Sequence, residues 1–132
     1  MPKESYYRKM FFIGAIWNWV ATVSFAFGYP VLFPWFGMKL PLYPVFLQLF
    51  LGLAFIFGIG YYWVSRNIYN NHAIVKLGII GKIFVFLMLL VYLIEGSVTF
   101  FPFTAGVVDL IFAILFIEFL IRFSKNKEAK ES

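Results

Sequence analysis

Four apolar runs, residues 11–28, 45–64, 74–94 and 104–123, constrain this chain more than any other feature. Each holds about 18 to 21 residues, which at about 1.5 Å rise per residue makes roughly 27 to 31 Å of helix, the thickness of a bilayer's hydrocarbon core. A segment in lipid has no water to satisfy its backbone, and a helix satisfies it internally. The expected fold is therefore all-α: a single four-helix transmembrane bundle over residues 1–124, followed by a polar cytoplasmic tail over 125–132.

Composition agrees with a bilayer as solvent. Of 132 residues, 63% are hydrophobic and 13% charged, about half the charge of a soluble domain. With 19 Phe, 8 Tyr and 4 Trp, the chain carries more apolar surface than a water-soluble fold this small can bury. Cysteine is absent and His72 is the single histidine, which removes thiolate chemistry and histidine-rich metal sites. No cofactor is expected. A net charge of +5 raises nucleic acid as a partner, but the basic residues stand at helix ends, where anionic lipid headgroups are nearer.

The connections between runs differ. Residues 29–44 hold Pro30, Pro34, Pro41 and Pro44 among Tyr29, Trp35, Phe36 and Tyr43, a pattern that predicts an irregular interfacial segment on the outer surface. Residues 65–73 form a polar turn, and residues 95–103 a second interfacial loop with Pro102. Lys3, Arg8 and Lys9 ahead of the first run, with Ala26-Phe27-Gly28 behind it, have the outline of a cleaved signal peptide. The run is expected instead to be a retained span. Placing the N-terminus inside puts Lys3, Arg8, Lys9, Arg66, Lys76, Arg122, Lys125, Lys127 and Lys130 on the cytoplasmic side, with only Lys39 outside and Lys82 within a span. Both termini are thus expected in the cytoplasm and the protein in a cell membrane, the bacterial inner membrane.

Polar residues inside the spans are where chemistry can reside, since a charge at bilayer depth costs at least about 2.5 to 3.5 kcal/mol. On ideal helices Asn18 and Lys82 lie about 11 to 12 Å from the cytoplasmic boundary, and Gln48 and Asp109 about 5 to 8 Å from the outer one. Asp109 shares a face with Ala105, Gly106 and Ala113; Lys82 follows Gly78 and Gly81; Asn18 sits with Gly14, Ala21 and Thr22; Gln48 sits with Gly52. One small and polar seam per helix predicts an interior containing Asn18, Gln48, Lys82 and Asp109, the candidate ligand site. Two readings of Lys82 and Asp109 stand open. They line a polar cavity that binds a headgroup or relays a proton, or they form a structural network, water-bridged because their levels differ by roughly 11 Å. For Asn18 and Gln48 the plain reading is interhelical hydrogen bonding. The alternation of Asn18 and Gln48 with Lys82 and Asp109 also raises a duplicated hairpin.

Elsewhere, Glu118 lies about 180° around the helix from Asp109, four residues before Arg122, an arrangement that predicts a shallow snorkelling pair. In the polar turn Arg66, Asn67, Asn70, Asn71 and His72 suit either a lipid phosphate at the start of the third helix or ordinary capping and turn formation. Trp17, Trp19, Tyr61, Tyr62 and Trp63 read as interfacial anchors, or as a stacking site for a flat ligand. The glycines before Lys82 lack the strand and the Ser or Thr of a phosphate-binding loop.

Arg66-Asn67, Ile74-Val75-Lys76-Leu77-Gly78, Gly81-Lys82 and Asp109-Leu110-Ile111-Phe112-Ala113 resemble a group of small bacterial four-helix membrane proteins of unassigned function. The resemblance covers the second to fourth helices and implies the four-helix topology without a mechanism. In size the chain is also similar to DoxX-like proteins, though no motif of theirs matches here.

Three functions follow as expectations: binding or carrying a small amphipathic or lipidic molecule, transport as a homodimer, or service as an accessory subunit in a larger membrane complex. Membrane lipids are the expected partners. Catalysis is not expected, because no paired carboxylates, metal cluster or nucleophile with an adjacent base stand in recognisable spacing.

Overall fold

A computed structural model describes residues 2–131, with side chains for 3–123; the tail expected over 125–132 lies outside the residues described with side chains. The chain is all-helical, with α1 Pro2–Trp35, α2 Pro44–Arg66, α3 His72–Glu95 and α4 Phe100–Glu131. All four are long and apolar enough to cross a membrane, and they form a four-helix bundle.

The helices overrun the apolar runs, most of all α1. It begins before the first run, where Glu4 and Arg8 pair at 2.8 Å one turn apart, and it continues through Pro30 and Pro34. The irregular segment expected from residue 29 therefore starts only after Trp35. Pro30 has no N–H, so the carbonyl of Ala26, four residues earlier, loses its helical donor. Gln48 of α2 replaces that donor, its Nε2 lying 2.9 Å from the Ala26 oxygen. A neighbouring helix thus supplies what proline removes, and the helix persists.

Two glycines end the helices at the other turns. Gly37 and Gly96 adopt φ of +73° and +99°, a conformation that costs a side chain bearing Cβ. Behind each, a backbone N–H reaches back five residues, Met38 to the Phe33 carbonyl at 2.8 Å and Ser97 to that of Tyr92 at 3.0 Å. Thr99 then donates to the Phe36 carbonyl, and the Phe36 and Phe101 rings stack at 5.7 Å. These contacts tie the α1–α2 loop to the α3–α4 turn and close one end of the bundle.

The packed core occupies the opposite half. Tyr7, Phe11, Tyr61, Val64, Ile68, Val75, Phe116 and Phe119 are fully buried there, with Phe11 stacked on Phe116 at 4.7 Å and edge-on to Phe119 at 4.9 Å. Backbones approach most within the α1–α2 and α3–α4 hairpins and little between α2 and α3. Outward faces are apolar throughout: only 11% of the most apolar stretch of α3 is buried, and Phe27, Trp35, Leu42 and Ile94 are exposed. Such a surface belongs against lipid rather than water.

Candidate functional site

Where the aromatic core ends, one side chain from each of three helices meets. Lys82 of α3 places Nζ 2.9 Å from Asp109 Oδ1 on α4 and 3.2 Å from Asn18 Oδ1 on α1. Asn18 in turn donates from Nδ2 to the Ala54 carbonyl of α2 at 2.8 Å, so the network joins all four helices. Trp17 Nε1 donates to the same Asp109 oxygen at 3.2 Å. The ammonium also faces the rings of Tyr61 and Phe112, at 5.1 and 5.3 Å from their centroids, where the negative face of each ring attracts it.

The direct ion pair corrects the expected water bridge. Counted from the shared turn, Lys82 precedes Glu95 by thirteen residues and Asp109 follows Phe100 by nine, an offset of about 6 Å, the reach of an extended lysine. The larger offset expected from the sequence came from treating the apolar runs as the helix limits. Close packing lets the pair form: Gly78 lies against the Tyr61 ring, and a Cβ there would fall 2.7 Å from a ring carbon.

Beyond this node a cavity of about 410 Å³ runs to the closed end of the bundle. Ala21, Phe25, Phe57, Val85, Leu89 and Pro102 are among its apolar walls, and Asn18, Thr22, Lys82 and Asp109 supply its polar groups. Thr22 already donates to the Asn18 carbonyl at 2.6 Å. Phe50 and Leu53 of α2 and Phe84 of α3 line the cavity yet remain exposed. The cavity therefore opens sideways between α2 and α3.

Of the four residues expected in the interior, Asn18, Lys82 and Asp109 converge. Gln48 does not: it is exposed and serves the Ala26 carbonyl, and Gly52 beside it has nothing within 4 Å of an added Cβ. Of the four positions that raised a duplicated hairpin, Gln48 thus stays outside the interior.

The expected aromatic anchors divide. Tyr61 is buried beneath Lys82, Trp17 lines the cavity, and Trp19 packs against Phe55 and Tyr62 with its Nε1 buried; Trp63 is exposed as an anchor would be. Trp17, Tyr61 and Phe112 were thus missed as members of the site. A signal for two of them was present, since Trp17, Ala21 and Phe25 recur every four residues, as do Phe57 and Tyr61, on the faces that line the cavity.

The polar turn lies at the other end and contributes nothing to this site. Asn71 donates from Nδ2 to the Trp63 and Asn67 carbonyls at 3.2 and 2.9 Å, and a His72 ring nitrogen lies 3.0 Å from the Ile68 carbonyl. One of these acceptors, Trp63, lies in the last turn of α2 and the other two in the connection that follows it. Arg66 and Asn70 are exposed. Nearby, Glu118 pairs with Arg122 at 3.2 Å as expected and accepts a hydrogen bond from the buried Tyr7 hydroxyl, also at 3.2 Å. Tyr69 donates to Glu4 at 3.0 Å; partial burial and this bond raise its phenol above the ordinary value.

No protein family, curated protein or solved structure matches the chain. The site itself must carry the functional argument.

Proposed function

We propose that this chain is an integral membrane protein, with both termini cytoplasmic, that binds or carries a small amphipathic or lipidic molecule in the cavity ending at Lys82 and Asp109. The observation that carries the reading is the cavity's make-up: apolar walls, one polar base, and an opening between α2 and α3. A pocket of this size with convergent polar groups at one end matches what small-molecule sites ordinarily contain. A side opening would face the acyl chains, so a lipid-soluble ligand would enter without crossing water.

The nine-to-one distribution of Lys and Arg supports the orientation. The resemblance to small bacterial four-helix membrane proteins supports the bacterial inner membrane as its location. The same surface suits a homodimer or an accessory subunit, and the exposed Arg66 and Asn70 suit lipid headgroups at the cytoplasmic face.

Gly81 provides the test. It lines the cavity and has nothing within 4 Å of an added Cβ, so Gly81→Leu starts its side chain into open space and adds bulk at the cavity wall. Native mass spectrometry of the detergent-extracted protein should find a bound small molecule on the wild type and none on Gly81→Leu, at unchanged thermal stability. Equal occupancy of both, or none on either after extraction from native membranes, would argue against a ligand here.

A further inference from the structure

We infer that the molecule this cavity takes is a neutral amphipath whose head donates a hydrogen bond, such as an alkyl alcohol, and not a carboxylate or phosphate. The inference rests on the cavity being a binding site and adds which chemistry its base reads.

The ion pair at that base is asymmetric towards the cavity. Both hydrogen bonds to Asp109 fall on Oδ1, from Lys82 at 2.9 Å and Trp17 at 3.2 Å. Oδ2 accepts none among the described residues, and it is not sealed in protein: the fully buried side-chain polar atom lacking a partner there is Trp19 Nε1 alone. Asp109 keeps 18% of its side chain accessible against 5% for Lys82. The group offered to an occupant is therefore a carboxylate oxygen, an acceptor with no proton to give. The ammonium is turned into the protein, held by Asp109, Asn18 and two ring faces.

Charge narrows the class further. Lys82 and Asp109 cancel, so the base is neutral overall while presenting its negative half. An anionic head would meet Oδ2 with like charge in a low-dielectric interior. A permanently cationic head would add a charge that nothing balances, since Asp109 already neutralises Lys82. A neutral O–H or N–H meets the free oxygen at no charge cost and forms a charge-assisted hydrogen bond. From Asp109 to Pro102 the wall of α4 runs seven residues, about 10 Å, depth enough for a short alkyl chain.

The test uses the full chain in lipid nanodiscs at pH 8, labelled with a decyl alcohol carrying a chain diazirine and mapped by mass spectrometry. Decan-1-ol, decanoate and decane then compete at matched bilayer concentrations. The expected result is labelling of Leu53, Phe57 and Val85, displaced by decan-1-ol at a concentration at least about tenfold lower than by decanoate or decane. Decanoate or decane competing as well as the alcohol would overturn the inference while leaving the cavity a binding site. Labelling that avoids the lining residues altogether would overturn both. The Lys82→Met/Asp109→Leu double variant leaves no lone buried charge and should label the same residues while losing the preference for the alcohol. A preference retained in that variant would remove Asp109 from the recognition; the wild-type competition decides the matter by itself where the variant does not fold.

Discussion

Removing Asp109 alone should damage this protein far more than removing Asp109 and Lys82 together. In Asp109→Leu the Lys82 ammonium, 5% accessible, keeps Asn18 Oδ1 at 3.2 Å and two aromatic faces beyond 5 Å, none of which is a counter-charge. An uncompensated buried charge of this kind costs about 3–5 kcal/mol. Lys82→Met leaves a carboxylate that still accepts from Trp17 and reaches the cavity, so its cost should fall near about 3 kcal/mol. The double variant Lys82→Met/Asp109→Leu removes both charges and fills the space with apolar groups, and should lie within about 1 kcal/mol of the wild type. The coupling expected between the two sites is thus at least about 5 kcal/mol. Reversible unfolding of the four proteins in bicelles, followed by tryptophan fluorescence, measures it. Single-variant losses that simply add in the double, within about 0.5 kcal/mol, would mean that the pair is not energetically coupled, and the account of the node given above would fall.

Other expectations follow from single contacts. Gly78→Ala places a methyl 2.7 Å from the Tyr61 ring and should destabilise by about 1–3 kcal/mol through overpacking, measured by the same unfolding; Gly81→Ala, with open space at its Cβ, should be neutral or stabilising by up to about 1 kcal/mol. Gln48→Leu strips the Ala26 carbonyl of its donor and should cost about 1 kcal/mol. Pro30→Ala restores an N–H to that carbonyl, so the Gln48→Leu loss should largely vanish in a Pro30→Ala background; an undiminished loss would show that Gln48 acts otherwise. Because the natural chain has no cysteine, single cysteines report sidedness directly. In intact cells a membrane-impermeant maleimide should label Leu42→Cys and spare Ser5→Cys, and the reverse pattern would invert the topology.

The sequence by itself determined the number and type of elements, because four runs of spanning length leave lipid-compatible helices as the economical solution. It also singled out Lys82, Asp109 and Asn18, since charge and amide within apolar helices demand partners. What it could not supply was distance. Helix ends read from hydropathy missed the extra turn at the start of α4, and that error separated Lys82 from Asp109 when in fact they touch. Proline misled for a related reason: Pro30 breaks a helix in isolation, and only the tertiary structure brings Gln48 to the carbonyl it frees. Aromatic residues were ambiguous because a Trp or Tyr suits an interface or a core equally well; the packing of α1 on α2 and α4 turned Trp17 and Tyr61 inward and left Trp63 outside. A polar cavity at Lys82 and Asp109 stood in the sequence as one of two readings, but its size and opening did not, since empty space arises from how the helices stand apart, and no single helix's pattern encodes that separation.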